Sequence, residues 1–120
     1  MFNKAAARVA GTRAAPMWGL VTHQGRRSGS TYRTPIAVVA AEGTFYVALP
    51  WGRRTDWVQN LRAAGGGTVR WRGETYAVTE PTFVDKSEVV TAARGIQRRM
   101  ISRWPLQDAL RLRHGPAAQA

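Results

Sequence analysis

The sequence predicts a small β-barrel, closed or split, with helices packed around it. Three observations carry this reading. At 120 residues the chain makes one domain over residues 1–120, with a single core and no room for separate cofactor and substrate domains. From Trp18 to Phe83 its apolar residues alternate in short runs broken by glycine turns, the period of half-buried strands. Two segments, one inside that region and one after it, switch to helical spacing.

In chain order, residues 1–16 read as a helix or tail in which Lys4, Arg8 and Arg13 stand among alanines. A first strand follows, with Trp18, Leu20 and Thr22 alternating with Gly19, Val21 and His23. Tyr32 to Ala41, rich in β-branched and small apolar residues, turns at Glu42-Gly43 into Thr44 to Pro50 and makes a hairpin. Thr55 or Asp56 is placed to cap a helix bearing Trp57, Val58, Leu61 and Ala64, and Gly65-Gly66-Gly67 ends it. A second hairpin joins Thr68–Arg72 to Glu74–Phe83 through Gly73. Asp85, three residues before Glu88, starts a helix whose stripe runs through Val89, Ala93, Ile96, Met100 and Trp104. Pro105 breaks it, Leu106 to Leu112 reads as a short helical turn, and residues 115–120 read as disordered.

Composition narrows the chemistry. There is no Cys, which excludes disulfides, thiolate catalysis and cysteine-bound metals, and His23 and His114 are too few for a histidine metal site. No Ser-His-Asp or His-Glu-x-x-His pattern is present, and the seven acidic residues fall mostly in turns and caps. If the chain is an enzyme, its reactive atom is therefore expected to belong to a bound cofactor, with the protein supplying position and charge. A net charge of +11, carried by 16 Arg and 2 Lys, calls for an anionic partner. No apolar run approaches a membrane span and no signal-peptide pattern precedes the domain, so a cytoplasmic protein is expected. The basic N-terminal segment adds a peripheral contact at the inner membrane face as a second expectation.

The charge is most concentrated in Gly25-Arg26-Arg27-Ser28-Gly29, followed by Arg33-Thr34-Pro35. Glycines let successive N–H groups converge on one point, and guanidinium groups add planar donors suited to phosphate. The alternative for these residues is a solvated hairpin turn.

This paired basic motif, with Trp57-Val58-Gln59-Asn60-Leu61 two dozen residues on, resembles the deazaflavin-dependent nitroreductase family of split β-barrels over about Val21 to Ala77. The resemblance implies a flavin/deazaflavin-binding type of split barrel and an oxidoreductase using coenzyme F420, with FMN as the alternative cofactor. It places the cofactor's phosphate and polyglutamate tail on Arg26, Arg27, Ser28, Gly29 and Arg33. Thr34 and Pro35 come near the deazaflavin through their backbone, and Trp57 and Asn60 border the groove, one helical turn apart. Asn60, as a polar residue beside a groove, is expected to add little to packing. Hydride would pass to a small, electron-poor, hydrophobic acceptor: a quinone, an enone or a nitro compound. Arg53, Arg54 and the start of the Thr55 helix are candidates to meet the charge that develops there.

Trp51 and Trp71 serve either as ring platforms or as barrel packing, and His23 either as a proton donor or as a strand histidine bonded to a neighbour. The tyrosine-rich C-terminal segment of well-known relatives is replaced by Asp85 to Arg113, which contains no tyrosine, so the acceptor is left unnamed. Pro50-Trp51-Gly52 stands where many relatives carry serine or lysine. Two readings compete with the enzyme: a non-catalytic carrier of a cofactor or hydrophobic ligand, and a small nucleic-acid-binding barrel. The scattered arginines weigh against the latter. Monomer and homodimer are both compatible with the sequence.

Overall fold

The computed structural model describes residues 10–12, 17–50, 52–105 and 108–117. Six antiparallel strands close into a barrel: β1 (Trp18–Gln24), β2 (Thr31–Ala41), β3 (Thr44–Ala48), β4 (Gly66–Trp71), β5 (Glu74–Asp85) and β6 (Asp108–His114), in the spatial order β1-β2-β3-β6-β5-β4 with β4 returning to β1. Closure leaves no unpaired sheet edge, which a basic chain of this size would otherwise have to protect. Among the described residues three helices pack outside: α1 (Asp56–Ala64), α2 (Lys86–Ala92) and α3 (Gly95–Arg103).

The period-2 pattern fills the barrel. Val21, Ile36, Val38, Phe45, Val47, Val69, Val78, Leu110 and Leu112 point inward, joined by Val58 and Leu61 from α1, which covers one end. A second, smaller core under α2 joins Val39, Tyr46, Val89, Ala93 and Ala109. Trp71 packs edge-on against Phe45 at 5.6 Å, the packing alternative of the two weighed for it. The β4–β5 hairpin turns on Arg72 and Gly73, both at positive φ. A bulge between Thr79 and Thr82 holds Glu80 in the left-handed region beside Pro81.

The C-terminal third differs from expectation. Leu106 to Leu112 was expected to form a helical turn; instead Asp108–His114 is the strand that closes the barrel, paired to β3 and β5. Leu110 and Leu112 alternate inward to full burial, which no exposed helical turn would achieve. The expected single helix from Asp85 is two. Asp85 does cap the first, accepting from the Ser87 amide at 2.9 Å. The helix then stops where Ala93 and Arg94 turn extended and Gly95 takes a φ of 59°. Arg98 satisfies the carbonyls freed there, donating to Val90, Thr91 and Ala93. The predicted stripe is consequently cut: Val89 and Ala93 are buried, whereas Ile96 and Met100 are 71% and 50% exposed.

Among the described residues no helix is long and apolar enough to cross a membrane. Lys4, Arg8, Arg13, Trp51 and residues 118–120 lie outside the described residues, and with them the reading of Trp51 and most of the readings of segments 1–16 and 115–120. The divided stripe yields a stability contrast. Leu110→Ala is expected to lower unfolding free energy in urea by about 2–5 kcal/mol, whereas Ile96→Ala stays within about 0.5 kcal/mol of the parent.

Candidate functional site

The basic loop between β1 and β2 folds onto α1 and bounds a cleft of about 600 Å³. Arg26, Arg27, Ser28, Arg33, Thr34, Trp57 and Asn60 line it, so the structure gathers seven of the nine residues singled out from the sequence. Pro35 lines an adjoining apolar pocket of about 240 Å³, and Gly29 shapes the loop without facing the cleft. His23, Tyr32 and Asp56 complete the walls.

The two loop glycines act differently. Gly29 adopts a φ of 73°, the left-handed conformation that ends the turn. At Gly25 a Cβ would meet Ser28 Oγ at 2.5 Å, so a larger residue would turn that hydroxyl away from its present position. Ser28 Oγ accepts from the Ser30 amide at 3.1 Å, which leaves the hydroxyl proton free to donate outward.

Asn60 organises the site. It is 5% exposed, and its Oδ1 accepts from both the Arg26 amide at 3.1 Å and Arg26 Nη1 at 2.7 Å. Its Nδ2 lies 3.0 Å from His23 Nδ1, and His23 Nε2 lies 3.0 Å from Thr34 Oγ1. Arg26 Nη2 also reaches Asp56 at 3.3 Å, a pair open to solvent and weak for that reason. Asn60 is therefore a buried linker between loop, strand and helix, and not the loosely packed groove residue that its polarity had indicated. His23 is bonded to neighbours on both sides, the second of the two readings weighed for it.

Three guanidinium groups thus take different parts. Arg26 lines the cleft with its guanidinium already engaged by Asn60 and Asp56. Arg27 and Arg33 have no hydrogen-bond or ion-pair partner among the described residues, and the Arg27 and Ser28 amides are likewise without one. Two unpaired guanidinium groups, a free hydroxyl and two unpaired amides are a donor set for a phosphate or carboxylate. The apolar pocket continues the cleft past Trp57, which lines both, and is walled by Trp18, Pro35, Ala37, Leu49, Pro50 and Trp104. An anion grip joined to an apolar slot fits a phosphorylated ring cofactor.

Sequence comparison agrees with this geometry. The profile of the F420H(2)-dependent quinone reductase family matches residues 2–99. The chain belongs to that family. It is an oxidoreductase and its cofactor is coenzyme F420, which selects the enzyme reading over the carrier and the nucleic-acid barrel, and F420 over FMN. No curated protein matches the chain in sequence. Among solved structures, an F420-H2 dependent reductase (FDR-A) aligns over 80% of this chain and 93% of its own at 16% identity, with a TM-score of 0.51. A protein of unknown function from Agrobacterium tumefaciens covers 98% of this chain and 57% of its own at 16% identity and a TM-score of 0.56. An FAD-binding protein from Mesorhizobium loti covers 97% and 92% at 12% identity and a TM-score of 0.51. These likenesses show that the barrel is shared.

Sequence reasoning did not find Thr55 as a site side chain. The residue stands at the N-cap of α1, as expected, yet its hydroxyl makes no capping bond; Oγ1 is buried without a partner and the residue lines the apolar pocket. Arg53 is committed elsewhere, paired with Asp108 at 2.9 Å and stacked on Phe83 at 4.7 Å. Because Asn60 satisfies buried groups on two other elements, Asn60→Ala is expected to destabilise the fold by about 1–3 kcal/mol, the cost of stranding them. Chemical denaturation near neutral pH measures it.

Proposed function

We propose that the enzyme holds the phosphate and acidic tail of coenzyme F420 on Arg27, Arg33, Ser28 and the loop amides, with the ring toward Pro35 and Trp57, and reduces a small hydrophobic quinone in the adjoining pocket. The observation that carries this reading is the pair of unpartnered guanidinium groups at the mouth of a cleft that runs into an apolar slot. Bound reduced F420 supplies a hydride. The chain's own residues bind, orient and exclude water. Arg27 and Arg33 fix the anionic end, so the ring position is set from a distance by charge. Trp57, half-buried between the two cavities, gives the ring an apolar edge to lie against.

Hydride arrival leaves negative charge on the acceptor oxygen. Thr55 is suited to meet it: the residue lines the pocket at the positive end of α1, and its unpartnered Oγ1, buried in the free chain, turns toward the acceptor by rotation about χ1. Arg54 has no partner among the described residues and lies beside it, whereas Arg53 would have to leave Asp108. An enone or nitro compound meets the same demand, and the apolar walls favour any of these over a charged acceptor.

Fluorescence titration with F420 tests the grip. Arg27→Ala and Arg33→Ala are each expected to weaken binding by about 1.5–3 kcal/mol, more at low salt than at high, while Arg99→Gln on α3 leaves it unchanged. Unaltered affinity in both loop variants would remove the loop from the site. Thr55→Val should keep F420 affinity and slow quinone-dependent oxidation of reduced F420 about five- to tenfold, the worth of one hydrogen bond; an equal rate would exclude the hydroxyl.

A further inference from the structure

We propose that His23 is a positioning residue: acting through Asn60, and only as the neutral imidazole, it holds Arg26 and the Gly25–Gly29 loop in the conformation that presents the anion-binding groups. The inference rests on the reading of the cleft as the F420 site and adds a pH dependence to it.

The protons along the chain of contacts can be assigned without ambiguity. Asn60 Oδ1 must face Arg26, because both atoms it meets there, the amide N–H and Nη1, are donors. Asn60 Nδ2 then points at His23 and donates, so His23 Nδ1 is an acceptor and carries no proton. The imidazole proton sits on Nε2 and is donated to Thr34 Oγ1. Only one tautomer of the ring is therefore compatible with the orientation of the carboxamide, and that carboxamide holds the first arginine of the basic loop.

Protonation of His23 would put an N–H where Asn60 needs an acceptor. If the carboxamide stays, two donors face each other across 3.0 Å. If it rotates, its carbonyl satisfies His23, but its NH₂ then opposes the amide and guanidinium of Arg26. Either way a contact is lost. Burial already works against the charged ring: His23 is 5% exposed, and desolvation lowers its pKa from 6.5, with Asp56 opposing the shift.

The charged and titratable groups around the ring come from three elements. Asp56 approaches from α1 and Arg26 from the loop, while β2 brings Tyr32, stacked on the imidazole with centroids 5.8 Å apart, and Arg33. On the remaining side β4 offers Gly66, Gly67 and Thr68, none of them ionisable. A depressed pKa in the folded state means that the neutral form persists through the ordinary histidine range and that the loop loses its support only as pH falls below it.

Two side chains separate the roles of the ring nitrogens, since asparagine places its amide near the position of Nδ1 and glutamine near that of Nε2. F420 affinity of wild type, His23→Asn and His23→Gln is measured between about pH 8 and about pH 5. His23→Asn is expected to bind within about twofold of wild type at the upper end, and wild type to weaken relative to it, approaching about tenfold, as pH falls through the His23 midpoint that its imidazole shifts report, the effect of one lost charge-assisted hydrogen bond. Taking that ratio cancels titration of the cofactor and of Asp56. His23→Gln keeps the Thr34 contact but not the Asn60 contact, and should bind about tenfold more weakly throughout. In the cofactor-free wild type, imidazole ¹⁵N shifts should report the Nε2–H tautomer, and the Arg26 amide resonance should move with the midpoint of His23. An Nδ1–H tautomer, an Arg26 amide indifferent to His23 protonation, or wild type and His23→Asn weakening in parallel would overturn the proposal. Wild type that fails to bind F420 at the upper pH would instead defeat the reading of the cleft, and the cofactor-free measurements would still decide the role of His23.

Discussion

The site depends on one buried carboxamide. Asn60 sits on a helix that caps the barrel, yet its polar atoms are used by a strand histidine and a loop arginine, so helix, strand and loop cannot shift independently. A buried amide left short of partners costs more than a satisfied one contributes, and this asymmetry makes the arrangement specific. From it follows the division of labour among the arginines. Arg26 is taken up by Asn60 and Asp56, and because it is anchored, Arg27 and Arg33 are left to face the cleft.

A closed barrel is a suitable frame for such a site. Its core packs side chains from all six strands, with α1 covering one end, and the loop emerges from the rigid β1–β2 hairpin, whose register runs unbroken from Trp18 opposite Ala37 to Gln24 opposite Thr31. The loop is thus short between two fixed points. The apolar pocket beside it is formed where the middle of β2 and the end of β3 meet the start of α1 and Trp104 just after α3, so one helix, α1, serves both cavities: Trp57 stands between them, Asn60 lies beneath one and Thr55 beside the other.

Much of this was legible in the sequence, and the reasons differ by element. The first five strands and α1 declared themselves through alternation, turn glycines and a left-handed Gly65 at the helix end. The basic loop was visible because its glycines and arginines are contiguous. The closing strand was hidden: Leu106, Ala109, Leu110 and Arg113 recur at helical spacing and favour helix intrinsically, and only pairing with β3 and β5 turns the alternation of Leu110 and Leu112 into a strand. The break at Arg94 was hidden for a similar reason, since the apolar stripe continues across it and a single Gly95 is an ambiguous signal. The role of Asn60 was illegible in principle, because its partners lie 34 and 37 residues away and only the fold brings them together.

The central claim is that the free groups of the β1–β2 loop hold the anionic end of F420 while Trp57 and Pro35 border its ring. A crystal structure of the complex with F420 tests it most directly. The cofactor phosphate is expected within hydrogen-bond distance of Arg27, Ser28 and Arg33, with the ring extending past Trp57 toward the apolar pocket and the Asn60–Arg26 contacts intact. A cofactor bound instead on the opposite face, with its phosphate on Arg72 and Arg94 near Ile96 and Gln97, would contradict it.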